Sequence, residues 1–338
     1  MASSLVIQTS FLGDTVLTTP LLAQLARRGP VDVLTTPASA ALLAGHPALR
    51  EVIPYDKRGE QSGMGGFLSL AMRLRRSAYD VVYLAQGSWR SAALALFAGI
   101  PVRIGFSTSA GKLLYTKRVE YADDLHHAAR LLMLARPNGR EATREELRPT
   151  LYPGDAERTV VDALLAGAGI RGGDTLVALA PGSIWGTKRW PYYAELAELL
   201  AGEARIVVVG GRDDSALAEE IKARVPNAVN ATGRVSLLAS AEMIKRAAAI
   251  VTNDSAPLHL ASAMATPTIA IFGPTVPAFG FGPLAPKQVV LGLDALECRP
   301  CDRHGPKVCP LGHHKCMRDI DAAAVAARVR ELIAKPAS

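Results

Sequence analysis

A chain of 338 residues is long enough for two domains with a core each, and it is no short disulfide-framework protein. With 49% hydrophobic and 20% charged residues it is not disordered, and no apolar run approaches the roughly 18 residues of a membrane span. The net charge is +7, and thirteen Lys and Arg against seven Asp and Glu place +6 of it in residues 1–120.

Taken in chain order, short apolar runs alternate with longer amphipathic ones. Strands are expected at 5–9, 31–35, 51–54, 81–85 and 102–105, with helices at 14–28, 38–45, 64–77 and 88–98. A polar stretch at 138–153 and a loop at 167–174 follow. Strands then return at 176–180, 206–209, 228–230, 250–251 and 268–272, with helices near 192–203, 214–224, 236–247 and 256–264. Strand then helix, repeated, means a parallel sheet with helices on both faces. It happens twice, so the expected fold is α/β, with two Rossmann-like domains at 1–165 and 170–318 and a cleft between them. A last helix within 319–338 has apolar residues to dock on a neighbouring domain, the first one being expected. Ligands should sit at the carboxyl ends of the strands.

Three loops that follow strands carry polar groups suited to chemistry. The first contains Ser10, Gly13 and Asp14 at the opening of a helix. It has no G-x-G-x-x-G, which argues against a nicotinamide-dependent oxidoreductase. Asp14 suits a general base at the mouth of a cleft, and a helix N-cap is the plainer reading. The second runs from Ala180 to Pro191. Gly182, Ser183, Thr187, Lys188 and Arg189 form a phosphate cradle that is not a Walker A loop, while Trp190 and Pro191 read as packing residues. The third, Asn253 to His259, is a helix N-terminus with Pro257 at an early position. Its amides suit a diphosphate and Asp254 suits hydroxyl groups, a mere cap being the competing reading of Asp254.

The basic first half suits an anionic partner, whether nucleic acid, a phosphorylated glycolipid or an anionic membrane leaflet; a solvated surface would give the same count. Aromatic residues are 5% and do not interleave with the basic ones, so nucleic acid is not expected. Residues 67–76 read as an amphipathic helix, with Phe67, Leu68, Leu70, Met72 and Leu74 against Arg73, Arg75 and Arg76. Its cationic end is expected to meet acceptor phosphates and carboxylates or anionic lipid head groups, although a packed helix with a solvated Arg edge reads the same way. The N-terminus has no Lys or Arg before its short apolar stretch, which Gly13 and Asp14 interrupt. It fails as a secretory signal, and the expectation is a cytoplasmic protein.

All four cysteines fall within nineteen residues, Cys298, Cys301, Cys309 and Cys316, spaced C-x2-C-x7-C-x6-C. In a reducing compartment the spacing suits a tetrahedral zinc or iron site, a structural clip outside the chemistry; the alternative is a thiol-rich loop that binds nothing.

GDTVLTTP (13–20), APGSIWGTKRWP (180–191), and NDSAPLH (253–259) with IFGPT (271–275) resemble the motifs of glycosyltransferase family 9, the ADP-heptose lipopolysaccharide heptosyltransferases. The KRWP and NDS forms are nearer the heptosyltransferase II group. The resemblance implies a GT-B fold and inverting transfer of heptose from ADP-L-glycero-β-D-manno-heptose, with no catalytic cofactor. The acceptor it implies is the lipopolysaccharide inner core, Kdo-lipid A with or without a first heptose, at the cytoplasmic face of the inner membrane. Asp14, beside Gly13, falls on the family's general base, and Lys188 on the residue that neutralises departing ADP. Ser183 and Thr187 fall on the diphosphate segment and Asp254 on the donor-sugar contact. Ser255, Ala256, Pro257, Leu258 and His259 mark the stretch whose amides lie against the phosphates. The cysteine cluster departs from the best-known members. A protein acceptor and a non-catalytic nucleotide-sugar binder are the competing functions, and a binder would need no base at Asp14.

Overall fold

The computed structural model describes residues 2–57, 59, 61–136 and 140–334. Arg58 of the basic half, residues 137–139 at the polar stretch and 335–338 of the expected tail lie outside the described residues. The chain divides into two compact units, Met1–Tyr152 and Pro153–Ser338.

In the first unit the order is β1 (Ser4–Gln8), α1 (Leu12–Ala26), β2 (Val31–Thr35), α2 (Pro37–Leu42), β3 (Glu51–Pro54), α3 (Met64–Arg76), β4 (Val81–Leu84), α4 (Trp89–Phe97), β5 (Val102–Phe106), β6 (Lys117–Val119), α5 (His127–Met133) and α6 (Arg144–Leu147). The strands form one parallel sheet in the order β3-β2-β1-β4-β5-β6. β1 is buried at every position, as a strand covered on both faces must be, and so it reads as a continuous apolar run rather than an alternating one.

The second unit opens with α7 (Asp155–Gly167) and continues through β7 (Leu176–Ala180), α8 (Tyr193–Leu200), β8 (Arg205–Val208), α9 (Ser215–Arg224), β9 (Val229–Asn230), α10 (Leu237–Arg246), β10 (Ala249–Asn253), α11 (Ala256–Ala263), β11 (Thr268–Ile271), β12 (Gln288–Leu291), α12 (Lys315–Arg318) and α13 (Ala322–Ile333). Its parallel sheet runs β9-β8-β7-β10-β11-β12, the same winding as the first. In each sheet the chain starts at an inner strand, winds outward, then returns to wind the other way. The crevices of this topology therefore lie beyond the carboxyl ends of β1 and β4, and of β7 and β10.

Two expected assignments differ. The boundary falls at Tyr152, not near 165, because α7 turns its buried Val161 and Leu165 inward, packs on α10, and receives Arg246 of α10 on Asp162. The last helix serves the second unit, where it was expected to dock on the first. Val325, Ala326 and Val329 of α13 are fully buried against α8, β10 and β11. Each valine so buried contributes roughly 1.5–3 kcal/mol, which fixes that helix to its own sheet.

Candidate active site

In the first unit, β1 runs out at Gln8 and α1 begins at Leu12. The N-cap is Phe11, whose side chain caps nothing, and Asp14 lies inside the first turn beside Gly13. Asp14 is thus not the cap that its residue type suggests. Its carboxylate enjoys the positive end of the helix. Ser10 Oγ stands 2.7 Å from Asp14 Oδ2, and His127 Nε2 3.9 Å from Oδ1. His127 opens α5 with its side chain only 11% exposed. Burial, with the Arg130 charge in support, pushes its pKa down to about 3, so the imidazole beside Asp14 is neutral. Arg130 itself is buried and donates to the Ala122 and Asp123 carbonyls and to Tyr121 Oη.

Asp14 opens into a pocket of about 360 Å³ lined by Ser10, Gln86, Ser109, Tyr121 and His127 among others, at the carboxyl ends of β1, β4 and β5. Gln8, Gln86 and His127 were not marked by the sequence. A lone His at the start of a helix without the usual cap residues carries no signal, since His126 does the capping, its ring accepting from the Ala128 amide.

Arg73, Arg75 and Arg76 do not belong to this pocket. α3 runs from the carboxyl edge back to the amino edge, so its last turn lies at the opposite end of the sheet from Asp14. Arg73 there pairs with Glu51, the first residue of β3, at 2.6 Å. Leu68 and Met72, expected on the packed face, are exposed beside these arginines, while Phe67, Leu70 and Leu74 are buried. The cations near the carboxyl edge are others. Lys57 donates to Thr9 O, and Arg90 donates to Tyr55 Oη and to the Gln61 and Ser62 carbonyls.

In the second unit the loops after β7, β10 and β11 converge. Lys188 and Asp254 form an ion pair of 2.6 Å with side chains only 10% and 11% exposed, and Thr275 donates to the same carboxylate oxygen at 2.7 Å. Asn253, fully buried, donates to Pro181 O and accepts from the Trp190 amide and Tyr193 Oη. One asparagine thereby stitches the β7 loop to β10. The N-cap of α11 is Ser255, with Pro257 in the first turn, so Asp254 is spent on Lys188 and Thr275 and not on capping. The stretch Ser255, Ala256, Pro257 and Leu258 leads inward to a buried His259 packed near Phe281. Ser183 is buried; its hydroxyl accepts from the Trp185 amide and its carbonyl from Arg189. The Thr187 hydroxyl donates to Pro306 O, so it is engaged by the chain itself. Trp190 is a packing residue, its indole N–H donating to Ile320 O.

The cysteine segment lies against this loop. His314 contacts Thr187 O at 2.8 Å, and His304 stacks on Trp185. Cys298, Cys301, Cys309 and Cys316 do not fit the expected zinc or iron clip, for among the described residues no group of three or more His, Cys, Asp or Glu is arranged to hold a metal. Cys298 Sγ lies 4.0 Å from His313 Nε2, Cys301 donates to Cys298 O, and Cys316 turns into the core. Burial and the neighbouring thiols push Cys316 up to about 11.

Residues 67–311 match the profile of glycosyltransferase family 9 (heptosyltransferase). The chain is 28% identical to lipooligosaccharide heptosyltransferase 2 of Haemophilus influenzae over 98% of this chain and 99% of that one. It is 31% identical to lipopolysaccharide heptosyltransferase 1 of Pseudomonas aeruginosa over 88% and 85%. The solved structure of Escherichia coli ADP-heptose lipopolysaccharide heptosyltransferase II superposes with a TM-score of 0.80 at 28% identity, covering 98% of each chain. The fold and the family expected from the three motifs are both borne out. The chain belongs to glycosyltransferase family 9, the heptosyltransferases, and is a glycosyltransferase of the GT-B fold.

Proposed function

We propose that this chain transfers heptose from ADP-L-glycero-β-D-manno-heptose to the lipopolysaccharide inner core, with inversion and without a metal. The observation that carries the reading is Asp14, a carboxylate on the first turn of a helix, lining a pocket at the switch point of a parallel sheet. An acceptor hydroxyl gives its proton to Asp14 as its oxygen attacks the anomeric carbon, and the bond from that carbon to the diphosphate breaks on the opposite face. Negative charge then grows on departing ADP. Lys188 and the first amides of α11 oppose that charge, which is the work a divalent cation would otherwise do. Asp254, itself held by the Thr275 hydroxyl, keeps the ammonium in place and suits the hydroxyl groups of the donor sugar.

The acceptor's phosphates and carboxylates suit the cations near the carboxyl edge of the first sheet, Lys57 and Arg90. Arg73, Arg75 and Arg76, with exposed Leu68 and Met72, suit the anionic cytoplasmic face of the inner membrane as a peripheral contact. No helix among the described residues is long and apolar enough to cross a membrane.

Purified protein incubated with ADP-heptose and a panel of truncated lipopolysaccharides tests the reading by the mass of the products. One heptose added to a defined inner-core acceptor is the expected result. Turnover of none of the panel, or addition only to a polypeptide, overturns it. The same reaction proceeds at the same rate in excess EDTA; a loss that magnesium restores refutes the metal-free part.

A further inference from the structure

Gln8 closes β1 with its side chain 1% exposed, and its amide orientation is settled by counting protons. The Thr18 hydroxyl has one proton, which goes to the Asp14 main-chain carbonyl at 2.7 Å. A carbonyl has none to return, so Thr18 Oγ1 meets Gln8 as an acceptor, and the Gln8 group 3.2 Å away is its nitrogen. The Gln8 carbonyl oxygen therefore faces Ser10, 3.3 Å from its amide and 2.6 Å from its hydroxyl. That hydroxyl also lies 2.7 Å from Asp14 Oδ2.

One hydroxyl proton thus stands between two acceptor oxygens at short hydrogen-bond distance. With Asp14 ionised, one of the two contacts lacks a proton. With Asp14 protonated on Oδ2, the carboxyl donates to Ser10, Ser10 donates to Gln8, and both contacts are complete. We propose that Gln8, acting through Ser10, is a positioning residue that favours the protonated form of Asp14 and so strengthens it as a base. The inference rests on the reading of Asp14 as the general base.

Among the described residues, the charged and titratable groups near Asp14 are these. His127 and, behind it, Arg130 come from α5, with Tyr121 ahead of them. His127 is neutral, and Arg130 donates to main-chain carbonyls and Tyr121. Lys57 directs its ammonium to Thr9.

The test reads Asp14 twice on the full chain. Carboxyl carbon NMR, with the signal assigned by Asp14→Asn, follows its titration without substrate, and the acid limb of kcat/KM follows it in turnover. Gln8→Met removes the competing acceptor and leaves the Ser10 proton to the ionised carboxylate, so the titration moves down by about half a pH unit or more. Thr18→Val frees the Gln8 amide and gives a smaller shift in the same direction, which keeps the test open if Gln8→Met does not fold. In a Ser10→Ala background both substitutions leave the titration where Ser10→Ala alone puts it. No downward shift in either variant, or an equal shift without Ser10, overturns the inference. A shift seen by NMR that the acid limb of kcat/KM does not follow overturns instead the reading of Asp14 as the base.

Discussion

Lys188 Nζ lies 2.6 Å from Asp254 Oδ2, and that same oxygen accepts the Thr275 hydroxyl at 2.7 Å. Two opposite charges nearly out of water are stable only as a pair, so removing one strands the other. Lys188→Met should therefore lower stability by about 3 kcal/mol and weaken ADP binding. The double variant Lys188→Met with Asp254→Asn should regain most of the stability and none of the ADP affinity. Denaturant melts and calorimetry on the three proteins check this. A Lys188→Met protein with unchanged melting and unchanged ADP affinity would make the pair a surface contact.

Asp14→Asn should cut kcat by about 10²–10⁴, the usual size of a general-base contribution. Stability should fall by only about 1 kcal/mol, because Asp14 is not the N-cap, its carboxylate gains little from the helix dipole, and an Asn at that position can still accept from the Ser10 hydroxyl. Single-turnover rates beside a thermal melt separate the two effects. A variant that melts much earlier yet turns over normally would return Asp14 to a structural role.

Much of this was legible in the chain because Gly, Ser, Asn and Asp punctuate the ends of apolar runs. Gly13, Gly182 and Asn253 mark the three loops, and the structure keeps each loop at the carboxyl end of its strand. β6 was not legible, since Lys117, Arg118 and Val119 are three residues with two charges, paired to β5 by backbone alone. Nor was α5, whose cap is a histidine. The distance of Arg73, Arg75 and Arg76 from the Asp14 pocket was not legible for a different reason. Composition shows that they end an amphipathic helix, but only the direction of a β-α-β crossover says which edge of the sheet that end reaches.

Stability should depend on pH through two histidines. Burial, against the opposing pull of the Thr150 main-chain carbonyl on the ring N–H, pushes His46 down to about 4, and burial with Arg130 pushes His127 down to about 3. Unfolded histidine titrates near 6.5, so between about pH 4 and 6.5 the unfolded chain binds more protons than the folded one. Their contribution is complete above about pH 6.5 and is lost as pH falls, by at most roughly 1.4 kcal/mol per pH unit for each histidine. Denaturant midpoints between about pH 5 and pH 7 measure the slope, and His46→Asn should remove about half of it. A flat profile would mean that both rings take up protons in the folded state.

Charge reversal of Arg73, Arg75 and Arg76 to Glu should leave the KM for ADP-heptose and for a short water-soluble acceptor unchanged, because α3 ends at the edge of the sheet away from Asp14. Partitioning onto vesicles rich in anionic lipid, read by sedimentation, should fall about a hundredfold or more, at roughly 1 kcal/mol for each of the three cations lost near the surface, while neutral vesicles bind neither protein. A raised acceptor KM with undiminished vesicle binding would put these arginines in the acceptor site after all.

The 298–316 segment holds the Lys188 loop through close backbone contacts. Gly305 has φ +81°, and a Cβ there would lie 3.2 Å from Lys188 Cε and 3.3 Å from Cγ. Pro306 O takes the Thr187 hydroxyl, and a Cβ on Gly186 would meet Lys307 O at 2.7 Å, so backbone closes on backbone along this stretch. Gly305→Ala should therefore cost roughly 1–2 kcal/mol for the left-handed backbone and, in addition, displace the Lys188 ammonium. The separable signature is in the ligand. A glycine in an open left-handed turn, Gly312, has nothing within 4 Å of its would-be Cβ, so Gly312→Ala should carry a similar stability loss with ADP affinity intact. Gly305→Ala should lose ADP affinity and kcat as well, because an ammonium moved by a few tenths of an ångström no longer matches both Asp254 and the leaving diphosphate. Calorimetric ADP affinities of the two variants, compared at equal fraction folded, decide it. Equal affinities would reduce the segment to a cover on the second sheet with no hold on Lys188.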